Sequence, residues 1–354
     1  MIDERCFTSE WIHEQRKRLP GVDPTLLEKT ILALELLGQF KKNGLSFVFK
    51  GGTCLLLLLE GFKRLSIDVD IVSETNEQSM QSVFDDIVSH SPFNRWAEDP
   101  RDFSHIPKRH YKFFFDSQIN RREDYVLLDI LQSANLFPAI QIIEIDLPFI
   151  RLKDRVPVTV PTIDGLIGDK LTAFAPNTIG ISLEQERSMQ IVKQLFDLGE
   201  LFLHAGNPDE ISVAYNAFVN AENRYRQTAY ERQESLRDTL HVCFMISQLD
   251  LKGATENETT EIMRRGIRQL GSHLVGSSFG LTQAKIAASR IAFLSAVLLS
   301  GSPENLRILF FNDGLIHKIK DANISGQWAI LNRLKPVSAE SFYYWHMADK
   351  FLKR

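Results

Sequence analysis

A Gly-Gly dipeptide between two short β-type runs constrains the fold more than any other feature of the sequence. The first run, residues 46–50, stops at Gly51-Gly52, and an apolar helical run over residues 53–60 follows it. The second run, residues 66–72, alternates polar and apolar side chains with period two, as a half-buried strand does. This pattern predicts strand, tight turn, helix and strand, so we expect the first part of the chain to be built around a sheet.

Other elements surround this unit. Asp23-Pro24 predicts an N-cap followed by proline at the first position of a helix, which should end near Asn43-Gly44. An amphipathic helix is predicted near residues 76–90, and the charged stretch 96–108 is predicted to be a loop. Three more strands are predicted, the last of them at an edge because prolines bound it. They cover residues 111–116, 125–132 and 156–160.

From residue 162 onward the apolar periodicity is helical. Strands followed by helices are typical of an α+β chain, and 354 residues are enough for two domains. We therefore predict a mixed-sheet α/β domain over residues 1–160 and a mainly α-helical domain over residues 161–354. The helices predicted in this second part cover residues 163–174, 183–203, 208–220, 222–249, 256–271, 281–299 and 303–310.

Composition argues against several classes of protein. The net charge of −4 gives no broad positive field for nucleic acid, although a local basic patch is compatible with it. The three cysteines, Cys6, Cys54 and Cys243, have no paired spacing and argue against a disulfide framework or a zinc site. The N-terminus is charged, unlike a signal peptide, and the apolar run 54–59 is too short to span a bilayer. We expect a cytoplasmic protein without membrane contact.

Two carboxylates share one face of the second predicted strand. Asp68 and Asp70 are two residues apart and project together, whereas Ile67 and Val69 face the core. Adjacent carboxylates repel each other and need a cation to stay ionised. Magnesium, bound by one or two carboxylates and substrate phosphates, meets this need, and manganese is the alternative ion. An isolated Asp-x-Asp is more often a solvated strand face.

The Gly51-Gly52 turn adds a second element to this prediction. Glycine lets the backbone approach a ligand closely, and the N–H groups at a helix start suit a phosphate. A phosphate cradle beside paired carboxylates is what nucleotidyl or phosphoryl transfer needs. Since a lone Gly-Gly is usually only a turn, the prediction depends on the order of the two motifs along the chain.

The two motifs together resemble the opening signature of the AbiEii/AbiGii-type nucleotidyltransferase toxins, which belong to the DNA polymerase β-like superfamily. The matching stretches are Lys50-Gly51-Gly52-Thr53 and Arg64-Leu65-Ser66-Ile67-Asp68-Val69-Asp70. The resemblance is specific over residues 45–75 and looser to about residue 205. It implies a polymerase β-like mixed sheet and nucleotidyl transfer from a nucleoside triphosphate with magnesium. It also implies an RNA acceptor such as tRNA, and a cognate antitoxin in a toxin–antitoxin or abortive-infection system.

The family pattern continues with a strand carboxylate, a helical lysine and a helical aspartate. Asp129 matches the carboxylate, which in the family binds metal or deprotonates the attacking hydroxyl; Glu123 and Asp124 are weaker matches. Lys170 matches the lysine, which implies a contact with the triphosphate. Asp197 matches the aspartate and is implied to lie near the active site.

Each of these three matches has a plainer interpretation. Asp129 could be a surface aspartate at a strand end, and Lys170 could be a surface lysine. Asp197 could simply pair with Lys193, four residues before it on the same helix.

The resemblance also implies a set of nucleotide-binding residues. Ser66 shares the face of Asp68 and could contact the nucleotide, be a site of self-modification or only close a turn. The full set is Lys50, Gly51, Gly52, Thr53, Arg64 and Ser66.

A basic cluster precedes the third predicted strand. Together with two aromatic residues it could receive RNA by charge and stacking, or it could be a solvated face. The cluster comprises His105, Lys108, Arg109, His110 and Lys112, with Phe103 and Tyr111.

Two other functions are left open by the residues. The acceptor could be a protein side chain or a small molecule, or the chain could be a non-catalytic nucleotide-binding module. The presence of every expected carboxylate and of the lysine favours an enzyme.

Overall fold

The computed structural model describes residues 1–100, 106–301 and 305–353. The chain divides into two compact units. Unit 1 comprises Met1–Thr162 together with Ser272–Ser277, and unit 2 comprises Ile163–Gly271 together with Ser278–Arg354.

The described part of unit 1 contains two sheets. Their strands are β1 (Val48–Lys50), β2 (Val69–Val72), β3 (Arg95–Glu98), β4 (Lys108–Asp116), β5 (Glu123–Leu131), β6 (Ile140–Glu144) and β7 (Pro157–Pro161). The main sheet is mixed and has the order β1-β2-β5-β4-β3, in which β2 and β5 are parallel and the other neighbours antiparallel. This confirms the predicted mixed sheet of an α+β fold. Strands β6 and β7 form a separate two-stranded sheet. The helices are α1 (Ser9–Arg18), α2 (Pro24–Lys42), α3 (Gly51–Leu58) and α4 (Glu77–His90), with a 3-10 turn at Glu4–Phe7.

One face of the main sheet forms the core of unit 1. Phe113 on β4 packs edge-on against Phe84 of α4 and Phe40 of α2, with ring centroids 5.1 and 5.8 Å apart. Tyr111 and Phe115, two residues away on either side, are also buried. Because side chains alternate along a strand, the residues between them lie on the opposite face. That opposite face carries the polar residues described below.

Helix α2 follows the prediction closely. Asp23 accepts hydrogen bonds from the backbone N–H groups of Thr25 and Leu26, at 2.7 and 3.2 Å, and Pro24 occupies the first helical position. The helix ends at Lys42, and Gly44 takes a positive φ of 76° just beyond it. The cap and stop residues were therefore sufficient to define this element.

The expected loop over residues 96–108 was wrong in part. Arg95–Glu98 forms the edge strand β3, and β4 already begins at Lys108. Trp96 explains the strand, because its ring packs against Phe84 with centroids 5.4 Å apart. Residues 101–105 lie outside the described residues.

The predicted strand over residues 66–72 was too long. The sheet begins only at Val69. Lys50 lies opposite Asp70, and helix α3 starts at the next residue, so residues 66–68 lie beyond the end of β1. The strand predicted at residues 156–160 pairs with β6, which was not predicted.

Unit 2 is built from helices. The expected single helix over residues 222–249 was wrong. Gln227 takes a left-handed conformation with φ of 55° and ends the helix Pro208–Arg226, and a new helix, Arg232–Gln248, starts after a capping box at Glu231. Residues 302–304 lie outside the described residues, and the described part of the helix predicted over residues 303–310 contains only a 3-10 turn at Leu306–Leu309. The helices are α5 (Ile163–Ala173), α6 (Ser188–Phe202), α7 (Pro208–Arg226), α8 (Arg232–Gln248), α9 (Glu258–Leu270), α10 (Leu281–Ser300), α11 (Ile316–Ile319) and α12 (Ala339–Leu352). The 3-10 segments are Gln185–Arg187, Gly271–His273, Leu306–Leu309, Asp313–Leu315 and Gly326–Leu334.

Helix α10 is long and apolar enough to cross a membrane by length and composition alone. In this chain, 72% of that apolar stretch is buried inside the protein. Such burial is typical of a core helix.

Candidate active site

A row of polar residues crosses the main sheet from one strand to the next. Lys50 lies opposite Asp70, Asp70 lies opposite Asp129, and Asp129 lies opposite His110. Residues directly opposite one another on paired strands share a face of the sheet. The fold therefore brings together two carboxylates that lie 59 positions apart in the sequence, Asp70 and Asp129.

Asp68 lies immediately before β2 and is held through its backbone. Its carbonyl oxygen accepts a hydrogen bond of 2.5 Å from the hydroxyl of Thr53. Thr53 is fully buried in α3, so the structure places it as support for the Asp68 segment. The negative charge of Asp68 also acts on Asp70, whose pKa it helps to raise.

Asp70 is the most perturbed carboxylate of this group. Burial, followed by the negative charge of Asp129, raises the pKa of Asp70 to about 6, with a smaller contribution from Asp68. Lys108 and Lys50 act in the opposite direction. A carboxyl with this pKa gains from any cation placed beside it, because the cation stabilises the ionised form.

Asp129 is held by two basic residues of the neighbouring strand β4. Lys108 Nζ donates to Asp129 Oδ2 at 2.7 Å, and His110 Nδ1 lies 2.6 Å from Asp129 Oδ1. Burial would raise the pKa of Asp129, but the charge and hydrogen bonds of Lys108 and His110 outweigh it and lower the pKa below its usual value. Asp129 is therefore the ionised partner of Asp70.

These contacts change the interpretation of the basic cluster. Its cations face carboxylates: Lys108 and His110 contact Asp129, Arg109 pairs with Glu77 and Glu98, and Lys112 pairs with Asp99. Tyr111 is buried in the core, and Phe103 and His105 lie outside the described residues. The described basic residues of the cluster therefore form ion pairs, two of which involve Asp129, and the structure does not favour a basic face for RNA.

The glycine turn lies against the carboxylates and the Arg-x-Ser segment. Gly51 has a φ of 79°, and a Cβ at this position would collide with the carboxylate of Asp70. A Cβ at Gly52 would lie 2.6 Å from Arg64 Nη2 and 2.9 Å from Ser66 Oγ. Glycine permits both approaches without displacing these side chains, so the turn, Arg64, Ser66 and Asp70 form one constellation.

The N-terminus of α3 forms part of the same constellation. Its N-cap residue is Lys50, whose side chain does not cap the helix. The first N–H groups of a helix are satisfied by a cap, by water or by a ligand.

Lys170 and Asp197 pair with each other inside unit 2. Lys170 Nζ donates to Asp197 Oδ2 at 2.7 Å and to Gln194 Oε1 at 3.3 Å. Gly168 makes the position of α5 possible, since a Cβ there would lie 2.5 Å from Cβ of Ala214 on α7. Lys170 itself is buried, so it is not a surface lysine.

The alternative third carboxylates have other partners. Glu123 forms an exposed ion pair with Arg95 at 2.6 Å, and Asp124 pairs with Lys29 at 2.7 Å. Both lie at the start of β5, opposite Asp116 and Phe115 rather than opposite Asp70. Asp129 is the residue of β5 that joins the row.

The carboxylates of Asp68 and Asp70 fit a hard divalent cation, whose remaining ligands would be water or substrate phosphate oxygens. Within residues 1–100, 106–301 and 305–353, no group of three or more His, Cys, Asp and Glu side chains is arranged to hold a metal ion. Both oxygens of Asp129 are engaged by Lys108 and His110. Asp68 and Asp70 supply the kind of carboxylates that hold magnesium together with phosphate oxygens.

Comparison with known proteins gives the family. The family model described as nucleotidyl transferase AbiEii toxin, type IV toxin–antitoxin system, matches residues 35–278, more than half of the chain. JHP933 from Helicobacter pylori is similar in structure, with 13% identity, a TM-score of 0.44, and coverage of 79% of this chain and 94% of that one.

A second solved structure shows a weaker likeness. An antigenic nucleotidyltransferase-like protein from Paracoccidioides brasiliensis has 12% identity, a TM-score of 0.34, and coverage of 56% of this chain and 93% of that one. No curated protein matches the chain. The family match confirms the resemblance seen in the two sequence motifs, and the chain belongs to the AbiEii family of nucleotidyltransferase toxins.

Proposed function

We propose that this nucleotidyltransferase moves a nucleotidyl group from a nucleoside triphosphate to a hydroxyl of an RNA acceptor, tRNA being the expected class. The observation that carries the proposal is the direct opposition of Asp70 and Asp129 on neighbouring parallel strands, beside the Gly51-Gly52 turn. Family membership supports the reaction class and a toxin–antitoxin setting with a cognate antitoxin.

Asp68 and Asp70 are the residues that would hold the divalent cation, magnesium or manganese. When bound, such an ion would neutralise these carboxylates and polarise the α-phosphate. Asp129 is assigned to the same carboxylate group, as a further ligand or as the group that takes the proton from the acceptor hydroxyl. The hydroxyl oxygen bonds to the α-phosphorus, the bond from that phosphorus to the bridging oxygen breaks, and pyrophosphate leaves.

The turn is assigned to the triphosphate. The backbone of Gly51 and Gly52 would lie against phosphate oxygens at the start of α3. Arg64 and Lys50 would supply positive charge, with Ser66 as a polar contact beside Arg64. Thr53 would act indirectly, because its hydroxyl donates a hydrogen bond to the backbone carbonyl of Asp68 and so helps to position that residue.

Lys170 and Asp197 are included because they match the family pattern. Their proposed roles, a triphosphate contact and a residue near the active site, rest on that match alone. In unit 2 they form a buried pair, so a variant of either residue tests folding as well as catalysis.

The experiment is incubation of the full chain with each of the four α-labelled triphosphates, magnesium and total RNA. We expect label on RNA from one or more triphosphates. Asp68→Asn and Asp70→Asn should each lower the rate by about 10³-fold, on the scale of removing one group that stabilises the transition state. Asp86→Asn, at an exposed position of α4, is the matched control and should keep the wild-type rate.

The other outcomes are equally clear. Label on protein or on a small molecule instead of RNA would contradict the acceptor. If none of the four triphosphates gave a labelled product, or if Asp70→Asn and Asp86→Asn had equal rates, the proposed active site would be contradicted.

A further inference from the structure

We infer that Lys108 is a built-in counter-ion of the active-site carboxylates, which occupies Asp129 and competes there with a divalent cation. The inference rests on the proposed function in taking Asp68 and Asp70 as the cation site. It adds a residue outside the family motifs and gives it a defined effect on metal affinity.

The geometry of strand β4 places Lys108 for this role. It is the first residue of β4 and lies on the same face as His110, which is directly opposite Asp129. Lys108 lies opposite Leu131, two residues beyond Asp129, so its long side chain reaches back diagonally to Oδ2 at 2.7 Å. His110 takes the other oxygen. The carboxylate is thus held from one side by two groups of a single strand.

The charges explain why the contact should matter for a metal. Asp68, Asp70 and Asp129 carry three negative charges when ionised, and Lys50 and Lys108 carry two positive ones. All five interact, since four of them act on the pKa of Asp70. Without Lys108 the same group would hold one more uncompensated negative charge, and its attraction for a divalent cation would increase.

The lysine is also able to leave. Its side chain is 31% exposed, whereas that of Asp129 is 11% exposed. The ammonium group can therefore turn toward water when a divalent cation takes its place, at little cost in desolvation. A neutral residue at position 108 still leaves Asp129 with His110 as a partner. The fold should therefore tolerate the substitution.

Lys112 is a matched control within the same strand. It lies four residues along β4, on the same face, and forms an ion pair of 2.8 Å with Asp99. Its side chain is 26% exposed, close to the value for Lys108. The two lysines neutralise different carboxylates, and Lys112 also lies 5.0 Å from the ring centroid of Tyr125.

The test is calorimetric titration of manganese into the full-length protein without nucleotide. We expect Lys108→Met to bind manganese about tenfold more tightly than wild type, and Lys112→Met to stay within about twofold of wild type. Lys108→Gln, which keeps a hydrogen-bond donor without the charge, should behave like Lys108→Met and covers the case in which the methionine variant does not fold. Addition of Asp70→Asn to Lys108→Met should remove the gain.

Three results would overturn the inference: unchanged or weaker manganese binding in both position-108 variants, an equal gain in Lys112→Met, or a gain that survives Asp70→Asn. The readout needs no turnover, so it separates this inference from the proposed function. Tighter manganese binding together with no nucleotidyl transfer by wild type would support the counter-ion and contradict the reaction. Normal nucleotidyl transfer by wild type together with unchanged manganese binding in the position-108 variants would support the reaction and contradict the counter-ion.

Discussion

The two units of this chain arrange ionised side chains in opposite ways. In unit 1, the negative charges of Asp68, Asp70 and Asp129 act on one another at one face of the sheet, and lysines compensate them only in part. In unit 2, Lys170 and Asp197 form a buried ion pair, with side chains only 6% and 1% exposed. The first arrangement concentrates negative charge that a cation can neutralise, and the second sets an ammonium group against a carboxylate in the core.

The difference predicts opposite responses to the loss of a charge. Removing the Asp70 carboxylate from the convergent group relieves repulsion, so the protein without metal should become more stable while it loses activity. Removing Lys170 takes away the ammonium group that donates to the buried carboxylate of Asp197, so stability should fall. Activity measurements alone do not separate these cases, whereas unfolding measurements do.

The largest effect is expected at the buried pair. Lys170→Met should lower the free energy of unfolding by about 3–5 kcal/mol, because the buried carboxylate of Asp197 loses the ammonium group that donates to it at 2.7 Å. Urea unfolding followed by circular dichroism gives this free energy. The loss would be a large share of the total, since a typical domain is stable by only about 5–15 kcal/mol.

The matching control is the double variant Lys170→Met with Asp197→Leu. Replacement of both charges by apolar groups of similar volume is often close to neutral, so most of the lost stability should return. If the double variant is as unstable as Lys170→Met, the pair is not the cause of the loss.

An intermediate effect is expected from the ionisation of Asp70. Its pKa is raised to about 6 in the folded protein, above about 3.9 for an unfolded chain. Between these values the folded state binds more protons, so its stability falls as the pH rises from about 4 to about 6. The loss should be about 2–3 kcal/mol, and it should be measured with a chelator present.

Asp70→Asn is the reference for this measurement, because Glu28 and Glu35 also have raised pKa values. The difference in unfolding free energy between wild type and Asp70→Asn isolates the one carboxyl. Asp129 does not interfere, because its pKa is lowered in the folded protein and its effect on stability therefore varies only below about pH 4. A difference that stays constant from pH 4 to pH 7 would contradict the assignment, and magnesium should flatten the slope.

The sequence was informative about the fold where burial is strong. Helix α2 has a cap, a first-turn proline and a stop, and β5 buries Val126, Leu128 and Ile130. Strands β3 and β6 were missed because they are edge strands that bury little; Ile142 on β6 is 74% exposed. A strand that lies mostly in water has no reason to alternate apolar and polar residues, so periodicity does not reveal it.

The site was predictable as far as local motifs reach. Asp68 and Asp70 share a face because of their spacing, and the Gly-Gly turn marks the approach to them. The partners of Asp129 were assigned to an RNA-binding cluster, since Lys108 and His110 lie 21 and 19 residues from it in sequence. Only the register of β4 against β5 brings them to Asp129. Register depends on pairing along whole strands, which local motifs do not record.

The smallest effect concerns the turn that lies against Asp70. Gly51→Ala should destabilise the protein by about 1 kcal/mol through its positive φ and by about 1 kcal/mol more through collision of the new Cβ with the Asp70 carboxylate. Thermal or urea unfolding measures the sum. Displacement of the Asp70 carboxylate should also weaken manganese binding.

Gly61→Ala separates the two contributions. Gly61 has a similar φ of 70°, but a Cβ there would have no atom within 4 Å, so it reports the backbone strain alone. Gly51→Ala should exceed Gly61→Ala in destabilisation, and only Gly51→Ala should weaken manganese binding. If the two variants were equal in both measurements, the closeness of Gly51 to Asp70 would have no energetic consequence. The difference between them in manganese binding thus measures how far the glycine turn serves the carboxylates of unit 1 rather than the fold.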